Sequence, residues 1–259
     1  MSADAIHPTA VIEEGARLGR GTQVGVYAFI GAQVILGENC TVMHHASIIG
    51  STHCGDENEF HPFCAIGGKT QDLKYQEEPT FLKIGSRNVF REFVTINRAT
   101  VPNTATQIGD HNLFLAYSHV AHDCVIGNEV IFSNNGTMAG HVIVEDHVVV
   151  GGLSAAHQFC RIGAFSMIGG CSKVVKDVPP YSIVDGNPAQ LCGINQVGLE
   201  RSGLSEEKIK SLRQVYRILM DSSLNTTQAI EKISEMTPLI PEVQRLLKFI
   251  QESKRGIIR

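Results

Sequence analysis

The chain has 259 residues, 43% of them hydrophobic and 19% charged, with a formal net charge of −4. This is the composition of a folded globular protein with ample core, so intrinsic disorder is excluded and a general nucleic-acid binder is disfavoured. No apolar run reaches the ~18–20 residues of a membrane span and no basic-then-apolar leader opens the chain, so a cytoplasmic protein with reduced cysteines is expected.

From Ile6 to Val174 an apolar residue recurs at every sixth position except Asp72, Glu78 and Pro102. Helices repeat every 3.6 residues and strands every 2, so a six belongs to neither. It signals a hexapeptide solenoid, a parallel β-helix of triangular coils in which residues i and i+18 stack about 4.8 Å apart. Coils of this class wind left-handed. Two positions before the repeat residue sits a small residue, as at Ala28, Ala46, Cys64, Ser118, Cys124 and Cys160. Cys40 also takes this position and Cys54 takes the repeat position itself, so these thiols read as core packing. Gly follows many repeat residues, and Gly or Asn is expected to form the corners through unusual dihedrals.

Residues 68–83 and 102–107 break the period and are expected to project as loops, the first carrying Asp72, Lys74 and Tyr75. After Pro179-Pro180 the period ends. Helices are expected after Ser205, from a Thr226 cap, and after Pro241. The expected organisation is a β-helix over 1–190 with the 68–83 loop, then a helical domain over 191–259.

Histidines cluster at His119, His122, His141 and His157, and Asp123 lies 18 residues before His141, so both belong on the same side of neighbouring coils. Three readings fit: a general base oriented by Asp123, a zinc site, or an unremarkable surface ladder.

The stretches QDLKY (71–75), HVAHDC (119–124), NNGTMAGHV (134–142), AAHQFCRIGA (155–164), GGCSKV (169–174), DVPPY (177–181) and the ending GIIR resemble the UDP-N-acetylglucosamine O-acyltransferases that begin lipid A synthesis. The resemblance spans essentially the whole chain. It implies transfer of an (R)-3-hydroxyacyl group from the phosphopantetheine arm of acyl carrier protein to the 3-hydroxyl of UDP-N-acetylglucosamine, by a homotrimer, with no metal and no separate cofactor. By the same resemblance His122 is the catalytic base, Asp123 its partner, and the Gly140 N–H the oxyanion donor. Asp72 and Lys74 hold the sugar nucleotide, while His119, His141, His157 and Gln158 line the cleft. Asn195 and Arg201 contact the nucleotide, and Gly170 ends the acyl channel.

The sequence departs from the family at GLERSGL (198–204), where a paired basic run is usual and only Arg201 stands, between Glu200 and Ser202. Basic residues Arg161, Lys173, Lys176, Lys208, Lys210, Arg213 and Arg217 are candidates to receive an acidic carrier protein. Rival readings are an N-acyltransferase on an amino-sugar nucleotide and a zinc carbonic anhydrase of the β-helix type. An ice-binding solenoid would need regular Thr arrays, which the sequence lacks.

Overall fold

The computed structural model describes residues 6–236 and 238–259. Residues 1–5 of the expected first domain, and Thr237, lie outside the described residues. Short strands, most of two residues, build three parallel sheets that form the sides of a triangular solenoid. The first face runs from Val11–Ile12 to Lys173–Val174, the second from Arg17–Leu18 to Arg161–Ile162, and the third begins at Gln23–Val24. Register follows the repeat: Ile12 pairs with Ile30 and Val120 with Met138, 18 residues on.

The corners agree with the expectation at positions such as Asn39 and Asn135 and differ from it at many others. Non-glycine residues with positive φ fall three places after the repeat residue, as at Tyr27, Asn39, His45, Asp123, His141 and Phe159. His141 donates its N–H to the His122 carbonyl one coil back at 3.0 Å and Asn39 to Arg20 at 2.9 Å, whereas Tyr27 and Asp123 donate to the hydroxyls of Thr9 and Thr106. Most glycines after the repeat residue keep ordinary φ and serve a different end. A Cβ on Gly19 would lie 2.4 Å from the backbone of Gly37, and one on Gly109 would lie 2.5 Å from the Gly127 carbonyl oxygen. Glycine is required there by the close stacking of coils.

The repeat residues fill the interior. Phe60, Phe90, Phe114 and Phe132 stack in one column with ring centroids 5.0–5.2 Å apart, all fully buried. Beside them Asn58, Asn88 and Asn112 form a buried ladder in which each side-chain oxygen accepts a backbone N–H from the following coil. Cys40, Cys54, Cys64, Cys124 and Cys160 are buried, and burial pushes the Cys64 and Cys124 thiols to about 12 and Cys160 to about 11. At neutral pH these are packing groups.

Both insertions leave from the corner between the first and second faces; the first is shorter than expected and the second lies nearer the N-terminus. Strand Phe81–Ile84 takes in the end of the first, and strand Ala105–Ile108 takes in the last half of the second. The two pair over their full length because Leu82 and Thr106 occupy buried inward positions. The projecting segments are therefore 69–80 and 98–104.

Beyond the last coil an antiparallel hairpin, Ser182–Gly186 with Ala189–Ile194, extends the third sheet. The expected boundary at 190 falls inside its second strand. Among the described residues four helices follow: α1 (Gln196–Arg201), α2 (Glu206–Leu219), α3 (Thr226–Ser234) and α4 (Pro241–Glu252). Helix α1 was not expected from the sequence. Asn225, not Thr226, caps α3, through a reciprocal capping box with Gln228. The ending GIIR has a packing role: Ile257 and Ile258 are buried, and the Arg259 guanidinium donates to the carbonyls of Leu219, Asp221 and Leu224. Those carbonyls lie at and just beyond the C-terminal end of α2, where a cation is favourable. No helix of the described residues is long and apolar enough to cross a membrane.

Candidate active site

Asp123 takes φ 59° at the first-to-second corner, which turns its carboxylate back along the chain toward His122. Asp123 Oδ2 lies 2.8 Å from His122 Nδ1 and 3.8 Å from His141 Nε2. A carboxylate only accepts, so the 2.8 Å contact places the proton on His122 Nδ1 and leaves the Nε2 lone pair free. The carboxylate also accepts N–H bonds from Thr100 at 3.0 Å and Val101 at 3.4 Å, and a hydroxyl bond from Thr104 at 3.3 Å. The Asp123 N–H donates to Thr106 Oγ1 at 2.9 Å. Burial would raise the Asp123 carboxyl, but its bonds from His122, Thr100 and Val101, with nearby His141, outweigh that and hold it below its usual value.

Gly140 lies one coil above His122. A Cβ there would lie 2.4 Å from His122 Cε1 and 2.5 Å from Nε2, so the imidazole rests on a bare backbone. At the next corner the corresponding amides are captured by side chains, as Asn128 N–H is by Asp146 at 2.8 Å. Among the described residues no protein acceptor faces the Gly140 N–H. An imidazole with a free Nε2 and an uncommitted amide therefore occupy adjacent coils of one corner, the group types that taking a proton and holding an oxyanion require.

The other predicted residues divide into two groups. His141 stands edge-on to His122 at 5.2 Å and stacks on Phe159 at 4.6 Å. Gln158 follows Gly140 on the same corner one coil further on, and His157, beside it, approaches Arg255 at 3.5 Å. His119 projects from the first face with Nδ1 2.7 Å from Thr95 Oγ1; burial pushes its pKa down against that bond, and His122 adds to the lowering. Asp72 braces its own loop by accepting the Lys74 N–H at 2.9 Å, leaving the Lys74 side chain exposed. That loop leaves from the same corner as the dyad. His119, His141, His157 and Gln158 thus lie on the dyad's corner and face, while Asp72 and Lys74 lie on a loop rooted at that corner.

Asn195 and Arg201 are placed differently. Asn195 is buried, caps α1 through the Gly198 N–H at 3.1 Å, and donates to the Phe165 carbonyl at 2.9 Å. Arg201 is exposed at the end of α1. Neither makes a hydrogen bond or ion pair with the His122 corner. Gly170 sits at the third-to-first corner, where a Cβ would meet only the Gly152 carbonyl oxygen at 3.4 Å, so this strip is open. The residues the sequence reading missed are Thr100, Thr104 and Thr106. They lie in or beside an insertion, where no period assigns them a direction.

Fold and site together define a hexapeptide-repeat transferase with a histidine–carboxylate pair. The sequence model for the bacterial transferase hexapeptide matches residues 105–140, and that for domain 2 of UDP N-acetylglucosamine O-acyltransferase matches residues 177–258. The solved structure of LpxA from Acinetobacter baumannii is 45% identical with a TM-score of 0.95, covering 99% of this chain and all (100%) of that one. The UDP-N-acetylglucosamine O-acyltransferase of Moraxella catarrhalis is 39% identical with a TM-score of 0.94 over 99% of this chain and 100% of its own. That of Arabidopsis, a UDP-N-acetylglucosamine acyltransferase, is 39% identical with a TM-score of 0.88 over 98% of this chain and 100% of its own. The chain belongs to the UDP-N-acetylglucosamine O-acyltransferase family.

Proposed function

We propose that this enzyme transfers an (R)-3-hydroxyacyl chain from acyl carrier protein to the 3-hydroxyl of UDP-N-acetylglucosamine, the opening step of lipid A synthesis, with His122 as general base. The observation that carries the base assignment is the 2.8 Å contact of His122 Nδ1 with a fully bonded Asp123 carboxylate, which leaves Nε2 to receive the substrate proton. The deprotonating sugar oxygen attacks the thioester carbonyl, the oxyanion is stabilised by the Gly140 N–H, and collapse expels the carrier thiol, which takes up the proton from His122. Acyl transfer is direct, with no acyl-enzyme. Asp72 and Lys74 hold the sugar nucleotide.

A homotrimer with sites between neighbouring solenoids fits an exposed ladder on the third-to-first corner, where Tyr27, His45, Phe63, Phe93 and Tyr117 stack at 4.8–5.3 Å. Carrier-protein docking falls to the basic residues still free of partners. Arg161 pairs with Glu145 and Glu252, and Lys208 with Glu242, whereas Lys210 and Arg217 project into solvent from α2.

His122→Ala should abolish transfer while the fold and assembly persist; retention of a tenth of the wild-type rate would remove His122 as base. Mixing it with Lys74→Ala subunits should restore activity if sites are shared between chains, and a fully active monomer would refute the trimer. One observation favours a second reading: ligand atoms of His122, Asp123 and His141 lie within 4.8 Å of one another, close enough to hold a cation. Stoichiometric zinc in purified protein, with activity lost to a chelator, would establish that reading over the proton-transfer one.

A further inference from the structure

The two insertions form one fastened structure. The Arg98 N–H donates to Gly68 O at 2.9 Å and Asn97 Nδ2 to Lys69 O at 3.1 Å; the Asn103 N–H donates to Pro79 O at 2.8 Å and the Phe81 N–H to Thr104 O at 3.0 Å. Between these ties Thr70 Oγ1 and Thr100 Oγ1 meet at 2.5 Å, with Thr70 buried. Each threonine has a second duty. Thr70 Oγ1 accepts the N–H of Asp72, the residue that braces Lys74, at 3.1 Å. Thr100 offers its own N–H to Asp123 Oδ2 at 3.0 Å, the oxygen that also receives His122.

We infer that the Thr70–Thr100 hydroxyl pair is a clasp that fixes the His122–Asp123 dyad to the 69–80 loop, making both threonines positioning residues for the reaction. The path is continuous: Lys74 and Asp72, the Thr70 hydroxyl, the Thr100 hydroxyl and N–H, the Asp123 carboxylate, and His122 Nδ1. A side chain that settles the loop thereby settles the carboxylate, and a carboxylate held by Thr100 and Val101 keeps one imidazole orientation. The inference rests on the proposed role of this loop in holding the sugar nucleotide, and it adds that the loop acts on the base as well as on binding.

The test replaces each hydroxyl by a methyl, Thr70→Val and Thr100→Val, singly and together, with Thr70→Ser and Thr100→Ser as hydroxyl-retaining controls. Steady-state rates are measured with UDP-N-acetylglucosamine and an acyl carrier thioester, and hydrogen exchange is followed at the Thr100 and Val101 amides. Each valine variant should lower kcat about five- to tenfold, the range of one lost hydrogen bond. The double variant should be no worse than Thr70→Val, because both singles break the Thr70–Thr100 bond and Thr70→Val also frees the Asp72 N–H. Serine variants should match wild type. Exchange at the Thr100 amide should accelerate in Thr70→Val although that residue lies in the other insertion. A Thr70→Val enzyme with raised KM for the sugar nucleotide but unchanged kcat would overturn the clasp, as would additive losses or unaltered exchange. Should wild type fail to acylate UDP-N-acetylglucosamine, the reading of the substrate falls, and the exchange measurement still decides the clasp.

Discussion

Asp123 joins a backbone demand to a chemical one. Its φ of 59° is a conformation that short polar side chains tolerate better than most, and in that conformation the carboxylate gathers donors from Thr100, Val101, Thr104 and His122. Asn at this position keeps the shape and the backbone but loses the acceptor-only character. With its oxygen serving both the Thr100 N–H and His122 Nδ1, as Oδ2 does, its amide group meets the Val101 N–H and the Thr104 hydroxyl at the Oδ1 place, and the carboxylate charge that faces the imidazole as it takes up a proton is gone. Asp123→Asn should therefore lower kcat by about 10²–10⁴, the span of a lost general base, with the fold retained. Stability should respond to pH in a defined direction. The folded pKa of Asp123 is depressed, so its contribution is present above the unfolded carboxylate value of 3.8 and is lost as pH falls through the lowered folded value. Urea unfolding at about pH 6 and at about pH 3 checks this: the gap between wild type and Asp123→Asn, about 1–3 kcal/mol at the higher pH, should narrow at the lower one. A constant gap would mean that the carboxylate is not held as described.

Each coil must approach its neighbour closely enough for one ladder of hydrogen bonds, and this governs the glycines. Gly109 has ordinary φ, and its Cβ would press on the backbone of Gly127, which belongs to the next coil and has no flexible end to move aside. Gly109→Ala should destabilise by about 1–3 kcal/mol through overpacking, read as a fall in Tm, whereas Gly170→Ala, with nothing nearer than 3.4 Å, should leave Tm unchanged. Equal effects would refute the stacking account. The same geometry explains what was legible in the sequence. Ile66, Phe90 and Val120 announce their burial because each inward position repeats, and Asp123 and His141 could be set on one corner by counting. The corners were misread because positive φ falls on residues as unlike as Tyr27, Glu57 and Tyr117, whose N–H bonds to the preceding coil offset the strain. Asn88 and Asn112 are buried polar groups that composition disfavours, and only the stacked carbonyls and amides explain them. Thr100 and Thr104 were illegible because insertion residues carry no register, and α1 because six residues following a strand show no helical period.

At the scale of the molecule, the solenoid makes distance along its axis a countable quantity. His122 and Gly170 are separated by 48 residues, two and two-thirds coils, or about 13 Å of axial rise. Between the dyad's corner and the corner bearing Gly170 lies the first face, whose outward residues past His119 are Thr137 and Ala155, neither of them bulky, before Lys173 at the level of Gly170. Gly152 and Gly170 then stack on adjacent coils, and neither is a corner residue of positive φ. Coil stacking accounts for Gly151, whose Cβ would lie 2.5 Å from Ile168 O, and for Gly169, whose Cβ would lie 2.4 Å from Asp185, but it does not demand glycine at 170. An apolar chain bound at His122 and laid along this face would meet its first bare strip there. The enzyme should accordingly prefer a long 3-hydroxyacyl chain to a medium one, and Gly170→Met should reverse the preference. The backbone accepts a Cβ at this position, so the Met side chain would occupy the strip, and each methylene denied burial there forfeits about 0.8 kcal/mol of binding. The measurement is the ratio of kcat/KM for carrier protein loaded with long and with medium chains. A wild-type preference for the medium chain, or an unchanged ratio in Gly170→Met, would place the end of the acyl channel elsewhere on the solenoid.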